Sequence, residues 1–297
     1  MKTPVFTGAN VAIVTPLTQD GIDFESLGNL IEFQINGGID SITICGTTGE
    51  SSTLSHEEHC EAIEYCVKKV AGRVPVIAGT GSNDTAYALE LSKCAESAGV
   101  DGLLMATPYY NKTTQRGLVA HYNYLADRLN TPIILYNVPS RTGLSFTADT
   151  YFELSKHPLI NGVKEASGNF SLMAETMALC GDNLNMWCGN DDQTVPMLAL
   201  GAKGVISVFA NVLPGVMSKI CKLFFEGKVK ASNELALKHF DLMDRLFIEV
   251  NPIPVKAALK LMGMDSGILR LPLYEISDSN LAILKKSMQD VGIPLAE

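Results

Sequence analysis

The chain has 297 residues, 46% of them apolar and 19% charged, which allows one large folded domain or two ordinary ones and excludes a disordered chain. The net charge is −9, and the 23 lysines and arginines are scattered without a cluster, which argues against nucleic-acid binding. Seven cysteines without a C-x-x-C pair, and no apolar h-region after Met1, predict reduced thiols, no signal peptide and a cytoplasmic protein. No apolar run reaches the length of a bilayer span, so no membrane partner is expected.

In chain order, Asn10–Thr15 is the first strand candidate, stopped by Pro16. Asp23–Asn36 carries Leu27, Leu30, Ile31 and Ile35 at helical spacing and ends at Gly37-Gly38. The β-branched run Ser41–Cys45 is the second strand and feeds Gly46-Thr47-Thr48-Gly49-Glu50. Ser55 and Glu58 form a capping box for a helix through about Val70. Val74–Ala78 is the third strand, followed by a helix over about Asn83–Ser97. Gly102–Ala106 is the fourth, ending in Thr107-Pro108-Tyr109-Tyr110-Asn111, with a helix over Gln115–Leu129. Pro132–Tyr136 is the fifth, then a loop with Arg141 and a helix over Thr147–Lys156.

The sixth strand candidate ends at Lys164, with a glycine-containing turn and a helix over Asn169–Leu179 after it. Asn185–Cys188 is the seventh strand, running into Gly189-Asn190, with a helix to Leu200. Gly204–Val208 is the eighth, with a helix over Asn211–Phe225. Strand–helix units at a repeat of roughly 20–35 residues predict an α/β fold, a (β/α)8 TIM barrel over 1–226. A doubly wound sheet is the structural alternative, weakened by the lack of G-x-G-x-x-G after the first strand. Residues 227–297 predict a C-terminal helical extension, with helices over about Lys230–Val250, Pro254–Met262 and Ser277–Asp290.

Barrel active sites lie at the C-terminal ends of the strands. The same rim therefore receives Thr47 and Thr48, Tyr109 and Tyr110, Tyr136 and Arg141, Lys164, Gly189 and Ile206. Desolvation at an apolar strand end disfavours an ammonium, and a lysine so placed is a nucleophile for ketones and aldehydes. Tyr136 on the adjacent strand can move the protons of imine formation. Thr47 and Thr48 can hold a small carboxylate, and Arg141 can pair a second one bidentately. Each residue also fits a plainer role: Lys164 snorkelling to a strand end, Thr47-Thr48 in a turn, Tyr136 in the core, Arg141 on a surface loop. Their joint placement at matched strand ends favours chemistry over those separate roles.

Four motifs together, Gly46-Thr47-Thr48-Gly49-Glu50, Thr107-Pro108-Tyr109-Tyr110-Asn111, Tyr136-Asn137-Val138-Pro139-Ser140-Arg141-Thr142-Gly143 and Gly162-Val163-Lys164-Glu165-Ala166, resemble the dihydrodipicolinate synthase family. Asn251-Pro252-Ile253-Pro254-Val255-Lys256 and Leu269-Arg270-Leu271-Pro272 fit the same family, and the resemblance spans essentially the whole chain. It implies a lyase, usually a homotetramer, in which pyruvate forms a Schiff base on Lys164 and condenses with L-aspartate 4-semialdehyde on the route to diaminopimelate and lysine.

The resemblance further implies a proton relay of Tyr136, Thr47 and Tyr110, with Tyr110 crossing into a neighbour's site. Thr48, Arg141, Ile206 and Gly189 are implied to bind substrate, and no metal or organic cofactor is implied beyond the covalent imine. An effector site for lysine is implied near Ser51, Ser52, His56, His59, Asn83, Tyr87 and Tyr109. Tyr87 stands where lysine-sensitive members carry a glutamate, so weak or absent feedback is expected. His56 and His59 are expected to be surface helix residues, not metal ligands. Two alternatives remain at this stage: a sister N-acetylneuraminate lyase or keto-deoxy-sugar-acid aldolase, disfavoured by Arg141, and a barrel protein without enzymatic activity.

Overall fold

The computed structural model describes residues 2–296; Met1 and Glu297, the outer ends of the two expected segments, lie outside the described residues. Strands and helices alternate in the order β1 (Gly8–Ala12), α1 (Phe24–Asn36), β2 (Ser41–Ile44), α2 (His56–Val70), β3 (Val76–Gly79), α3 (Thr85–Ala98), β4 (Gly102–Ala106) and α4 (Gln115–Ala126). They continue through β5 (Ile133–Asn137), the short α5 (Pro139–Thr142), α6 (Ala148–Ser155), β6 (Ile160–Glu165), α7 (Phe170–Cys180), β7 (Asn185–Cys188), α8 (Thr194–Ala199), β8 (Gly204–Ser207) and α9 (Pro214–Phe225). Four further helices follow: α10 (Val229–Lys238), α11 (Phe240–Arg245), α12 (Ile253–Leu261) and α13 (Asp278–Asp290).

All neighbouring strands are parallel, and β1 pairs with β8 from Gly8↔Gly204 to Val11↔Ser207, which closes the sheet into a barrel. That closure excludes the open doubly wound sheet. Alternate strand residues point inward or outward. The outward set packs under the helices in one continuous apolar core that includes Val11, Ile42, Leu103 and Val163. The inward set forms a second cluster with Ile77, Leu104, Ile134, Tyr136 and Ile206. Trp187 stacks on Phe6 within it, with ring centroids 5.1 Å apart, and its indole N–H donates to the Phe6 carbonyl.

Local signals set most boundaries. Asp23, Ser55, Asp84, Thr114, Thr147 and Asn169 each cap a helix through a side-chain oxygen, and Ser55 with Glu58 closes the predicted capping box. Three readings need correction. The helix expected over Lys230–Val250 is two, α10 and α11, broken at His239, whose ring bonds the Leu235 carbonyl. The helix expected from Asn211 begins at Pro214, after a tight turn over Phe209–Asn211, because proline suits the first helical position. Cys60 of α2 and Cys94 of α3 form a disulfide across Cα atoms 6.1 Å apart, whereas all seven thiols were expected reduced. The facing of α2 and α3 makes that pairing, and the spacing in the chain gives no sign of it. Cys45, Cys66, Cys180, Cys188 and Cys221 are free and buried. No helix among the described residues is long and apolar enough to cross a membrane.

Candidate active site

Register places the candidate pair. Tyr136 of β5 lies opposite Lys164 of β6, and Lys164 lies opposite Trp187 of β7. Tyr136 and Lys164 therefore project from one face into the barrel mouth. Lys164 is only 5% exposed, and its Nζ lies 4.4 Å from the centre of the Tyr136 ring. An ammonium at that range is attracted to the ring face. The strand runs one residue beyond Lys164, and the Glu165 side chain points the other way, under the helices.

Glu165 is fully buried, and its carboxylate accepts four hydrogen bonds from three neutral donors. Asn137 Nδ2 donates to both oxygens at 3.0 and 3.1 Å, the Tyr151 hydroxyl donates at 2.9 Å, and the Ser167 backbone N–H donates at 2.8 Å. Burial and the neighbouring Glu165 carboxylate push the Tyr151 phenol well above its ordinary range, so it stays a donor. The residues directly after Tyr136 and Lys164 are thus locked to each other behind the site.

Gly189 follows β7, and its N–H donates to the Glu165 carbonyl at 2.8 Å. A Cβ there would fall 2.7 Å from Ala166 Cβ and 3.2 Å from Lys164 Cε, so only glycine leaves room for the lysine stem. Ile206 is fully buried in the inward-facing cluster of β8. Asp191, two residues past Gly189, accepts from the backbone N–H groups of Val208 and Phe209. Burial pushes its carboxyl up, against the pull of those bonds and of Lys164.

The loop after β2 is held differently. It opens with Cys45 and reaches Glu50, both in the left-handed region at φ 53° and 55°. Such non-glycine conformations cost about 1–3 kcal/mol each and persist where surroundings over-determine them. Here the surroundings come from the C-terminal helices. Lys256 of α12 donates to Glu50 Oε1 at 2.7 Å and to the Thr15 carbonyl at 3.0 Å, and both charged side chains are fully buried. The Arg270 N–H donates to the other Glu50 oxygen, while its guanidinium grips both Glu58 oxygens and the Thr53 carbonyl. Asn251 Nδ2 donates to Thr48 Oγ1 at 3.0 Å, and the Asn251 carbonyl accepts from Arg141 Nη2 at 2.9 Å. Sequence reasoning assigned no role to Glu50, Asn251 or Lys256; their only signal was membership of the motifs that carry the family resemblance.

A cavity of about 330 Å³ lies beside the loop after β2. Thr47, Val138 and Arg141 line one side, and Ser51, Ser52, His59, Tyr87 and Tyr109 line another. Thr47 and Arg141 thus share one cleft with Ser51, Ser52, His59, Tyr87 and Tyr109 of the expected effector positions. His56 meets the Tyr87 ring at 5.9 Å between centroids, and the Asn83 carbonyl accepts from Asn111 Nδ2. His59 is a correction: it is buried, with Nε2 2.8 Å from the Gly79 carbonyl, and burial holds its pKa below the ordinary value. Tyr110 is not among the residues that line this cavity. It is 92% exposed on the loop after β4, at φ 69°.

Residues 5–291 match the model of the dihydrodipicolinate synthetase family. The 4-hydroxy-tetrahydrodipicolinate synthase of Thermoanaerobacter sp. (strain X514) is 52% identical over 291 residues, which is 98% of each chain. A dihydrodipicolinate synthase structure from Aquifex aeolicus superposes with a TM-score of 0.97 at 44% identity, covering 98% of this chain and 100% of that one. The chloride-inhibited dihydrodipicolinate synthase of Acinetobacter baumannii, solved in complex with pyruvate, gives 0.95 at 41% identity, over 97% and 99% of the two chains.

Proposed function

The chain belongs to the dihydrodipicolinate synthetase family, and from that premise we propose that it is the lyase that condenses pyruvate with L-aspartate 4-semialdehyde, on the route to diaminopimelate and lysine. The observation that carries the reading is Lys164, buried at the barrel mouth against the Tyr136 ring.

Lys164 Nζ attacks C2 of pyruvate, and the carbonyl oxygen leaves as water to give the imine. Loss of a proton from C3 gives the enamine, whose carbon attacks the aldehyde of the second substrate. The amino group of that substrate then adds to the imine carbon, closes the ring and expels Lys164 as the free amine. The protonated imine is the electron sink of the sequence, the part that a metal or organic cofactor would otherwise supply.

Tyr136 moves protons to and from the leaving water and the new hydroxyl. Thr47 and Thr48 hold the pyruvate carboxylate, Gly189 leaves space for the lysine stem, and Ile206 closes the floor. Arg141 pairs the carboxylate of the semialdehyde. Tyr110 completes the relay in the site of a second copy, a role supported by its exposure. A homotetramer is the assembly that the family resemblance implies.

Turnover of pyruvate with aspartate semialdehyde, against pyruvate with N-acetylmannosamine, tests the reading. Product is expected from the first pair only, and none from Lys164→Ala. Turnover of the second pair alone would make the chain a sugar-acid lyase.

A further inference from the structure

β6 enters the barrel out of step with β5. Ile160 pairs with Ile133, but the next residue of β5, Ile134, pairs with Gly162, so β6 carries one extra residue here, Asn161. Ile133 and Ile160 both pack under the helices, whereas Ile134 faces the barrel interior. The extra residue therefore reverses the alternation of β6 above it. Val163 packs under the helices as a result, and Lys164 faces inward, opposite Tyr136. Without the step at Asn161, the same sequence would set Val163 opposite Tyr136 and turn Lys164 under the helices. The aim of the lysine thus depends on what holds this register.

Two clasps hold it. At the lower end Asn161 Nδ2 donates to the Thr3 carbonyl at 2.9 Å, and Asn185 Nδ2 of β7 donates to the Asn161 carbonyl at 3.1 Å. A Cβ on Gly162 would fall 2.4 Å from the Asn185 carbonyl oxygen and 2.7 Å from the Trp187 ring, so only glycine fits after the step. At the mouth, Asn137 Nδ2 donates to both Glu165 oxygens across the strand pair. Asn137 and Glu165 are register partners, and each directly follows a group of the proposed reaction. Tyr151 of α6 bonds the same carboxylate from outside the strand pair. A slip by one residue would turn Glu165 inward, away from all of these donors. We propose that Glu165 is a positioning residue for the reaction: its bonds to Asn137 stop β6 from slipping on β5 and so hold Lys164 against Tyr136. The assignment rests on the proposed function.

Asn137→Ala and Glu165→Ala break the clasp from opposite strands. Each is expected to lower kcat about tenfold to hundredfold, the scale of an ångström of misplacement. The pyruvate KM should stay within about threefold, and Glu165→Gln, which keeps an acceptor of the same length, should recover kcat to within about fivefold. Tyr151→Phe, which leaves the clasp between the strands intact, should keep kcat within about threefold. The deciding comparison repeats the alanine variants in a Tyr136→Phe background. A residue that acts by setting Lys164 against Tyr136 should there cost less than about threefold, whereas general loosening would repeat its full cost. Full cost in that background, a Glu165→Gln variant as poor as Glu165→Ala, or a kcat loss in Tyr151→Phe equal to that of Asn137→Ala would overturn the assignment. Failure of both alanine variants to fold would also overturn it, by making the clasp structural alone. Lack of any turnover of pyruvate with the semialdehyde by the unaltered protein would instead remove the proposed function itself.

Discussion

The end of β6 and the loop after β2 deliver groups to the same rim, yet different parts of the chain hold them. Lys164 sits on a regular strand, and the lock behind it is barrel material throughout: Asn137, Glu165 and Tyr151. The donors to Glu165 there are all neutral. Thr47 and Thr48 sit on a loop with two non-glycine residues held left-handed, and the lock behind it is an ion pair reaching from α12. The proposed nucleophile is thus built into the fold. The proposed carboxylate-holding loop is clamped from outside, which gives the C-terminal helices a reason to exist beyond extending the core.

Substitutions on the two sides should separate chemistry from clamping. The largest effect belongs to the strand side: Tyr136→Phe should lower kcat by about 10²–10⁴ while leaving stability nearly unchanged. A matching loss of stability would show that Tyr136 is a packing residue. On the loop side, Lys256→Met leaves Glu50 buried without a counter-charge and should cost about 3–5 kcal/mol in denaturant unfolding. A loss below about 1 kcal/mol, the range of a surface pair, would mean that the clamp is dispensable.

Tyr151→Phe removes one neutral donor from the Glu165 carboxylate, for an expected loss of about 1.5–3 kcal/mol. An effect as large as that of Lys256→Met would erase the contrast between the two locks. The smallest effect is in acid. Hydrogen bonding to Arg270 holds the Glu58 carboxyl down at about 2, below its ordinary 4.5. A depressed carboxylate contributes stability above its unfolded pKa and loses it as pH falls through the folded one. The share owed to this pair should therefore be full above about pH 4.5 and gone near 2. Unfolding midpoints of the unaltered protein and Glu58→Gln should converge across that window, and a constant gap would contradict the assignment.

Much of this arrangement is legible in the chain. Strand ends carry short apolar runs, helix starts carry capping side chains, and both are local signals, so the eight-fold repeat and the rim position of Lys164 and Tyr136 follow from spacing. The locks are not local. Lys256 and Glu50 are 206 residues apart, and Asn251 and Thr48 are 203 apart. Cys60 and Cys94 meet only because α2 and α3 pack side by side. His59 has the polarity of a surface residue, and only the fold turns it inward against the Gly79 carbonyl. The break at His239 depends on its ring bonding the preceding turn, a choice that hydrophobic periodicity does not encode.

The central claim is that Lys164 is the group that reacts. Incubation with pyruvate and borohydride, followed by peptide mass mapping, tests it directly. The account predicts one reduced pyruvate adduct per chain, on the peptide carrying Lys164, and none in Lys164→Ala. No adduct, or an adduct on Lys256 or any other lysine, would contradict it.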